Sequence, residues 1–197
     1  MHAELAPLGF TVISVALDKD PESARPWIEA ASATHPSLVD TSYVLADLYN
    51  IVNVPTTVWI DEEGWIVRPN DVGYATDTFR GIHGIHSGRV LESIRTWVRD
   101  GTTSIDRGRA RELQPLPTAE HQLARAQFGL GRWLSAHARP AAAERHFLRA
   151  GELAPHDFAI RRGSMPMRGM SSMGPEFREM VIDWIGKGNS YYTPLPD

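Results

Sequence analysis

The sequence contains no cysteine among its 197 residues. This absence excludes disulfide bonds, thiolate metal sites and cysteine nucleophiles from the chain as written. No stretch approaches the roughly 20 apolar residues that a membrane helix needs. Residues 1–5 also lack the charged and then apolar pattern of a signal peptide. We therefore predict no membrane partner and, for the sequence as written, a cytoplasmic location.

The sequence lacks an excess of basic residues, because 20 Lys and Arg against 24 Asp and Glu give a formal net charge of −4. A general nucleic-acid binder normally carries a basic excess or a basic face, so we predict no nucleic-acid partner. The sequence has no G-x-S-x-G elbow, no G-x-G-x-x-G segment and no phosphate loop. A serine hydrolase of the elbow type and a nucleotide-binding enzyme are therefore without support.

The first half of the chain alternates predicted strands and helices. Residues 10–17 are a nearly continuous apolar run rich in β-branched residues, which predicts a strand buried on both faces. Asp20 and Pro21 then supply an N-cap and a first-turn proline for a helix that ends near residue 33. Its core-facing residues are predicted to be Trp27, Ile28 and Ala31.

The following segments complete an α/β pattern. We predict a strand at 37–40, a helix at 41–49 with Val44, Leu45 and Leu48 on one face, a strand at 56–60, a turn at 61–64, a strand at 65–67, a loop at 68–88 and a helix at 89–100. This order predicts an α/β layer fold over residues 1–101. Residues 102–117 have the polar composition of a linker.

Residues 118–197 have the pattern of a helical tail. Helices are predicted at 118–138, 140–153 and 175–185, with a loop at 158–174. The spacing of six residues resembles one tetratricopeptide (TPR) repeat, namely Leu130, Gly131, Ala143, Phe147, Ala150 and Pro155. A plain helical hairpin is the alternative. A single repeat cannot bury its own face, so it must pack on the first domain, on another chain or, as we favour, on the final helix.

Residues 10–98 resemble the later part of a thioredoxin-like domain of the TlpA/ResA type. Three features carry the resemblance: the V-I-S-V-A-L-D pattern before a proline-started helix, the V-P-T-T-x-x-I-D pattern at 54–61, and the D-E-E-G-W-I-V hairpin at 61–67. The resemblance implies a three-layer fold and a cis bond before Pro55. It also implies that Val54, Pro55 and Thr56 bind substrate, with the Val54 backbone pairing with an extended chain.

The resemblance lacks its catalytic part. In this family a C-x-x-C motif follows a strand and opens a helix, upstream of the strand that residues 10–17 match, whereas this sequence has no such segment. We therefore interpret the fold as an incomplete, N-terminally truncated thioredoxin-like domain. The missing strand belongs between the strands at 10–17 and 56–60, and its loss would leave them about 10 Å apart. Some relatives use selenocysteine, so an in-frame UGA read as a stop would explain a late start.

Two further clusters are candidate metal ligands. His83 and His86 lie three residues apart in a glycine-containing segment, but a metal site needs three or four ligands, so solvated histidines are the preferred interpretation. Met165, Met167, Met170 and Met173 are soft ligands of the kind that suits Cu(I). Adaptable apolar packing is the alternative that we favour for the methionines.

The resemblance implies a thiol–disulfide or peroxide-linked oxidoreductase in its complete form, acting on a protein thiol, a protein disulfide or a peroxide. The chain alone is predicted to be inactive, with no catalytic residue, metal or cofactor of its own. The alternative is a non-catalytic thioredoxin-fold module that binds a protein partner through its helical tail.

Overall fold

The computed structural model describes residues 1–72, 76–77, 80, 86–114, 116–191 and 195. Within these ranges the helices are α1 (His2–Leu5), α2 (Pro21–Ala31), α3 (Val44–Leu48), α4 (Ser87–Asp100), α5 (Arg107–Leu113), α6 (Ala119–Ala136), α7 (Pro140–Leu153), α8 (Phe158–Ser164) and α9 (Pro175–Gly186). The strands are β1 (Ser14–Ala16), β2 (Ser37–Val39), β3 (Thr56–Ile60) and β4 (Ile66–Val72). Short 3-10 helices span Ala6–Leu8 and Met165–Arg168.

The fold is mixed α/β, and its described strands form two separate two-stranded sheets. β1 pairs in parallel with β2, with Val15 opposite Leu38. β3 pairs antiparallel with β4, with Thr57 opposite Asp71. No ladder joins β1 to β3 in the part of the chain that the structure describes.

The first strand is shorter and more exposed than its sequence predicts. It covers three residues instead of 10–17, and Ile13 just before it is 61% exposed. The prediction of a strand buried on both faces was therefore wrong. An apolar strand is buried on both faces only when strands and helices cover it from both sides, and β1 has a described partner only in β2.

The predicted inward faces of two helices were only partly correct. Ile28 of α2 and Leu45 of α3 are partly buried, but the other residues predicted to face inward are exposed. In α2, Trp27 is 78% exposed and Ala31 is exposed, whereas Ala24 is buried. In α3, Leu48 is 75% exposed and Ala46 is buried. The 3.6-residue periodicity of a helix identifies an apolar stripe but not the neighbouring element that covers it. Here the buried residues of the two helices are the alanines Ala24 and Ala46.

Local capping and turn signals were confirmed. The Asp20 carboxylate accepts a hydrogen bond from the Ser23 amide at 2.9 Å at the start of α2. Gly64 has a φ of +84° in the β3–β4 turn, and Gly101 closes α4 with a φ of +68°. In the last turn of α4, the Trp97 ring stacks on Trp59 of β3 with centroids 5.2 Å apart.

Two segments predicted to lack regular structure contain helices. The 102–117 segment includes α5, whose Asp106 cap accepts from the Arg109 amide at 2.8 Å. The 158–174 segment was predicted as a loop and contains α8 followed by a 3-10 turn. Asp157 caps α8 by accepting from the Ile160 amide at 3.1 Å. Both helices are only seven residues long, too short to show an apolar periodicity in the sequence.

The main core lies between α6, α7 and the α3 region. A Cβ added at Gly131 would lie 2.7 Å from the Phe147 ring, so the two helices touch closely there. Tyr43, Ala46 and Ile51 complete this cluster, and none of its residues comes from α9. The favoured packing of the hairpin on the final helix was therefore wrong. α9 instead covers a second cluster, built on Phe158, Met165 and Phe177.

Candidate functional site

The predicted substrate residues lie between α3 and β3. The Val54–Pro55 peptide bond is cis, the isomer that the resemblance implies. Pro55 is exposed, and Val54 and Thr56 are partly buried. The three residues thus form a partly accessible ledge at the start of β3, which we call the shelf.

The Val54 amide is held by the side chain of its neighbour. Its N–H donates to Asn53 Oδ1 at 2.9 Å. The other end of the same amide group, Asn53 Nδ2, donates to the main-chain oxygen of Tyr191 at 3.1 Å. One side chain therefore connects the shelf to the C-terminal part of the chain.

The Thr56 hydroxyl leads to a buried ion pair. Thr56 Oγ1 donates to the main-chain oxygen of Asp71 at 2.9 Å. The Asp71 carboxylate is bonded through Oδ2 to Arg68, whose Nε and Nη2 each lie 2.7 Å away. Arg68 also donates through Nη1 to Ser104 Oγ at 2.9 Å. Both charges are buried, so this pair fixes the position of Asp71 beside the shelf.

Sequence reasoning missed this ion pair because residues 68–88 were predicted as a loop. β4 in fact continues through Arg68 to Val72. Pro69 lies within this strand, and a proline is unusual in a strand interior. An Arg and an Asp three residues apart are common on protein surfaces, so their spacing gave no signal of burial.

A second buried charged group joins the helical tail to Asn50, in the segment that precedes the shelf. His121 Nε2 lies 2.7 Å from Asp157 Oδ2, and Arg125 Nε lies 3.6 Å from the same oxygen. Arg125 Nη2 donates to Asn50 Oδ1 at 2.8 Å. His156, whose ring stands edge-on to His121, is exposed at the surface. Partial burial of its ring, and secondarily the neighbouring His121, lowers the pKa of His156. These groups are packed among helices, which suits a structural role better than contact with a ligand.

The methionine cluster is divided among different surroundings. Met165 is buried in the second cluster and Met170 packs against it, whereas Met167 packs on the main core. Met173 is exposed, with its sulfur 3.0 Å from Arg162 Nη2. This distribution favours packing over the convergence that a copper ion would need.

Only one histidine of the predicted pair, His83 and His86, lies among the residues that the structure describes. His83 lies outside the described residues, and His86 is exposed. Within the described ranges, no group of three or more His, Asp or Glu side chains is placed to hold a metal ion. The helices in those ranges also include none with the length and apolar character required to cross a membrane.

Comparisons with protein-family models, curated proteins and solved structures find no match to this chain.

Proposed function

We propose that this chain is the substrate-binding part of a thioredoxin-like thiol–disulfide or peroxide-linked oxidoreductase. Val54, Pro55 and Thr56 form its substrate shelf, and the redox-active residue lies outside the sequence in hand. The observation that carries the proposal is the division of the strands into two sheets, β1–β2 and β3–β4.

The two sheets are separate between β1 and β3, which is where the resemblance implies a missing strand. A complete domain of this type has one further strand between the equivalents of β1 and β3, and that strand leads into the redox motif. Support also comes from the exposed apolar side chains around β1, such as Ile13 and Leu38, since an additional strand and helix would cover surface of this kind.

The chemistry needs a thiolate or selenolate that this sequence does not contain. Such a nucleophile attacks one sulfur of a substrate disulfide, forms a mixed disulfide and displaces the other sulfur as a thiolate. The shelf contributes only by holding the substrate main chain in line for that attack, as in strand addition.

The DNA upstream of the Met1 codon tests the proposal directly. We expect an open frame, or one interrupted by UGA, that encodes a strand followed by a C-x-x-C-like motif with cysteine or selenocysteine. If the upstream frame encodes no such strand and motif, the proposal is wrong.

The isolated chain is expected to reduce insulin only at the background rate, because it contains no redox nucleophile. The upstream-extended protein should reduce insulin above background, and replacing its redox cysteine or selenocysteine with serine should abolish the reaction. Turbidity of the insulin B chain in the presence of dithiothreitol provides the measurement. Activity of the 197-residue chain above background would contradict the assignment.

A non-catalytic interaction module is the second candidate. One face of α6 exposes Leu123, Leu130 and Trp133, which lie seven and three residues apart and therefore share a side of the helix. Exposed apolar side chains on one side of a helix suit a protein partner. An upstream frame with the additional strand but without a redox motif would favour this candidate.

A further inference from the structure

The C-terminal part of the chain contacts both ends of the shelf. The Tyr191 oxygen accepts from Asn53, which directly precedes Val54. The Leu195 amide donates to Asp71 Oδ1 at 3.1 Å, and Asp71 lies opposite Thr57, directly after the shelf. These contacts join residues 138 and 124 positions apart in the sequence.

The contacts are of the kind that a bound peptide makes. Both use main-chain atoms of the C-terminal segment, one carbonyl and one amide four residues apart, and both use side chains on the shelf side. Recognition of main-chain groups is the general way in which an extended peptide is held regardless of its sequence.

Both receptor groups are held in position before any peptide arrives. The Asn53 side chain is oriented by the Val54 amide, and the Asp71 carboxylate is fixed by Arg68. Asp71 is also buried and charged, so a hydrogen bond that it accepts is stronger than one between neutral groups. A fixed acceptor reduces the entropy lost when a peptide is ordered on it.

Aromatic contacts anchor the segment at its first residue. The Tyr191 ring meets Phe158 edge-on with centroids 4.7 Å apart, and it also meets Phe177 at 6.3 Å. Trp184 Nε1 donates to the Ser190 oxygen at 2.9 Å. The segment is thus delivered to the shelf from the end of α9.

We propose that Asn53 and Asp71 form a peptide-binding site at the shelf, and that the C-terminal segment containing Tyr191 and Leu195 is its intramolecular occupant. The inference rests on the proposed function and narrows its substrate class, because a site that recognises main-chain groups selects a peptide or protein over a small peroxide. An incoming substrate must displace the segment, so the segment lowers the apparent affinity for substrate.

Two variants of the full chain separate the main-chain contact from side-chain effects. Leu195→Pro removes the amide that donates to Asp71, whereas Leu195→Ala removes a similar side chain and keeps that amide. The probe is a fluorescein-labelled peptide with the sequence of residues 190–197, and fluorescence anisotropy gives its Kd. We expect the Leu195→Pro chain to bind the probe about tenfold or more tightly than the Leu195→Ala chain, because a hydrogen bond to a charged group is lost in only one of them. Equal affinities would overturn the proposal.

Substituting the probe instead gives a second test, in which two probes are compared on the same Leu195→Pro chain. A probe carrying Leu195→Pro should bind the Leu195→Pro chain about tenfold more weakly than the probe carrying Leu195→Ala. Adding Asn53→Ala to the Leu195→Pro chain should also weaken binding of the unmodified probe. If neither change weakens binding, the peptide is held elsewhere and the assignment is wrong.

These measurements fail separately from the test of the proposed function, because they need no redox residue. Probe binding without an upstream redox motif would leave the peptide site standing and remove the oxidoreductase. A redox motif without probe binding would support the oxidoreductase and rule out the peptide site.

Discussion

Replacing Asp157 with alanine should lower the free energy of unfolding by about 3–5 kcal/mol. Asp157 is fully buried, and its loss would leave the buried His121 without its partner. It would also take from Arg125 one of its two carboxylate partners, the other being the half-exposed Asp47. The substitution also removes the cap of α8, for which about 1 kcal/mol is typical. Urea unfolding followed by far-ultraviolet circular dichroism gives the measurement.

Asp183→Ala is the matched control for this change. Asp183 pairs with Lys187 at 2.7 Å, but both side chains are exposed. Exposed pairs contribute about 0–1 kcal/mol, so the control should change the unfolding free energy by less than about 1 kcal/mol. Similar losses for the two variants would contradict a structural role for the buried group.

Phe147→Ala should destabilise the chain by about 3–5 kcal/mol, the usual cost of removing a core aromatic side chain. Phe147 is 4% exposed and fills the space between α6 and α7. It lies against Gly131 and near Phe128, whose ring centroid is 6.0 Å away. The same urea experiment measures the loss.

Leu148, the next residue of α7, provides the control because it is 49% exposed. Leu148→Ala should cost less than about 1 kcal/mol. Gly131→Ala gives a second check, since its new methyl group meets the Phe147 ring. It should be destabilising in the natural chain and less so after Phe147→Ala, which is a coupling that a double-mutant cycle measures. Additive effects would show that the two residues are not in contact.

The elements predicted correctly are those with a local chemical signal. The bounds of β3 and α7 agree with the prediction, because a β-branched run marks the first and Pro140 marks the start of the second. The start of α2 was equally predictable from the sequence, because the cap Asp20 and the first-turn Pro21 both act within one turn of the helix. These signals depend on a few neighbouring residues, so the sequence alone contains them.

The features that were not predicted depend on contacts between residues far apart in the chain. Spacing within α2 placed Trp27 inside, but exposure depends on which other elements cover that face. The pair of His121 and Asp157 joins positions 36 apart, and the contact of Asn53 with Tyr191 joins positions 138 apart. Each member of such a pair is an ordinary polar residue in its own segment, so no local pattern marks it.

The location of the shelf residues was predicted, whereas their polar partners were not. The V-P-T pattern indicated Val54, Pro55 and Thr56, and the structure brings them to the start of β3. The involvement of Asp71 required knowledge of the β3–β4 register, which includes irregular pairing between Thr57 and Ile60. Turn residues specify that two strands meet but do not specify each opposite pair when the ladder is irregular.

The stacked indoles of Trp59 and Trp97 give this chain a built-in optical reporter. Because the two rings belong to β3 and α4, their near-ultraviolet circular dichroism depends on the helix remaining seated on the strand. A sample that keeps its far-ultraviolet spectrum but loses this signal would have intact helices and no fixed docking between them and the hairpin. The reporter therefore distinguishes a well-ordered preparation from a loosely collapsed one without any label.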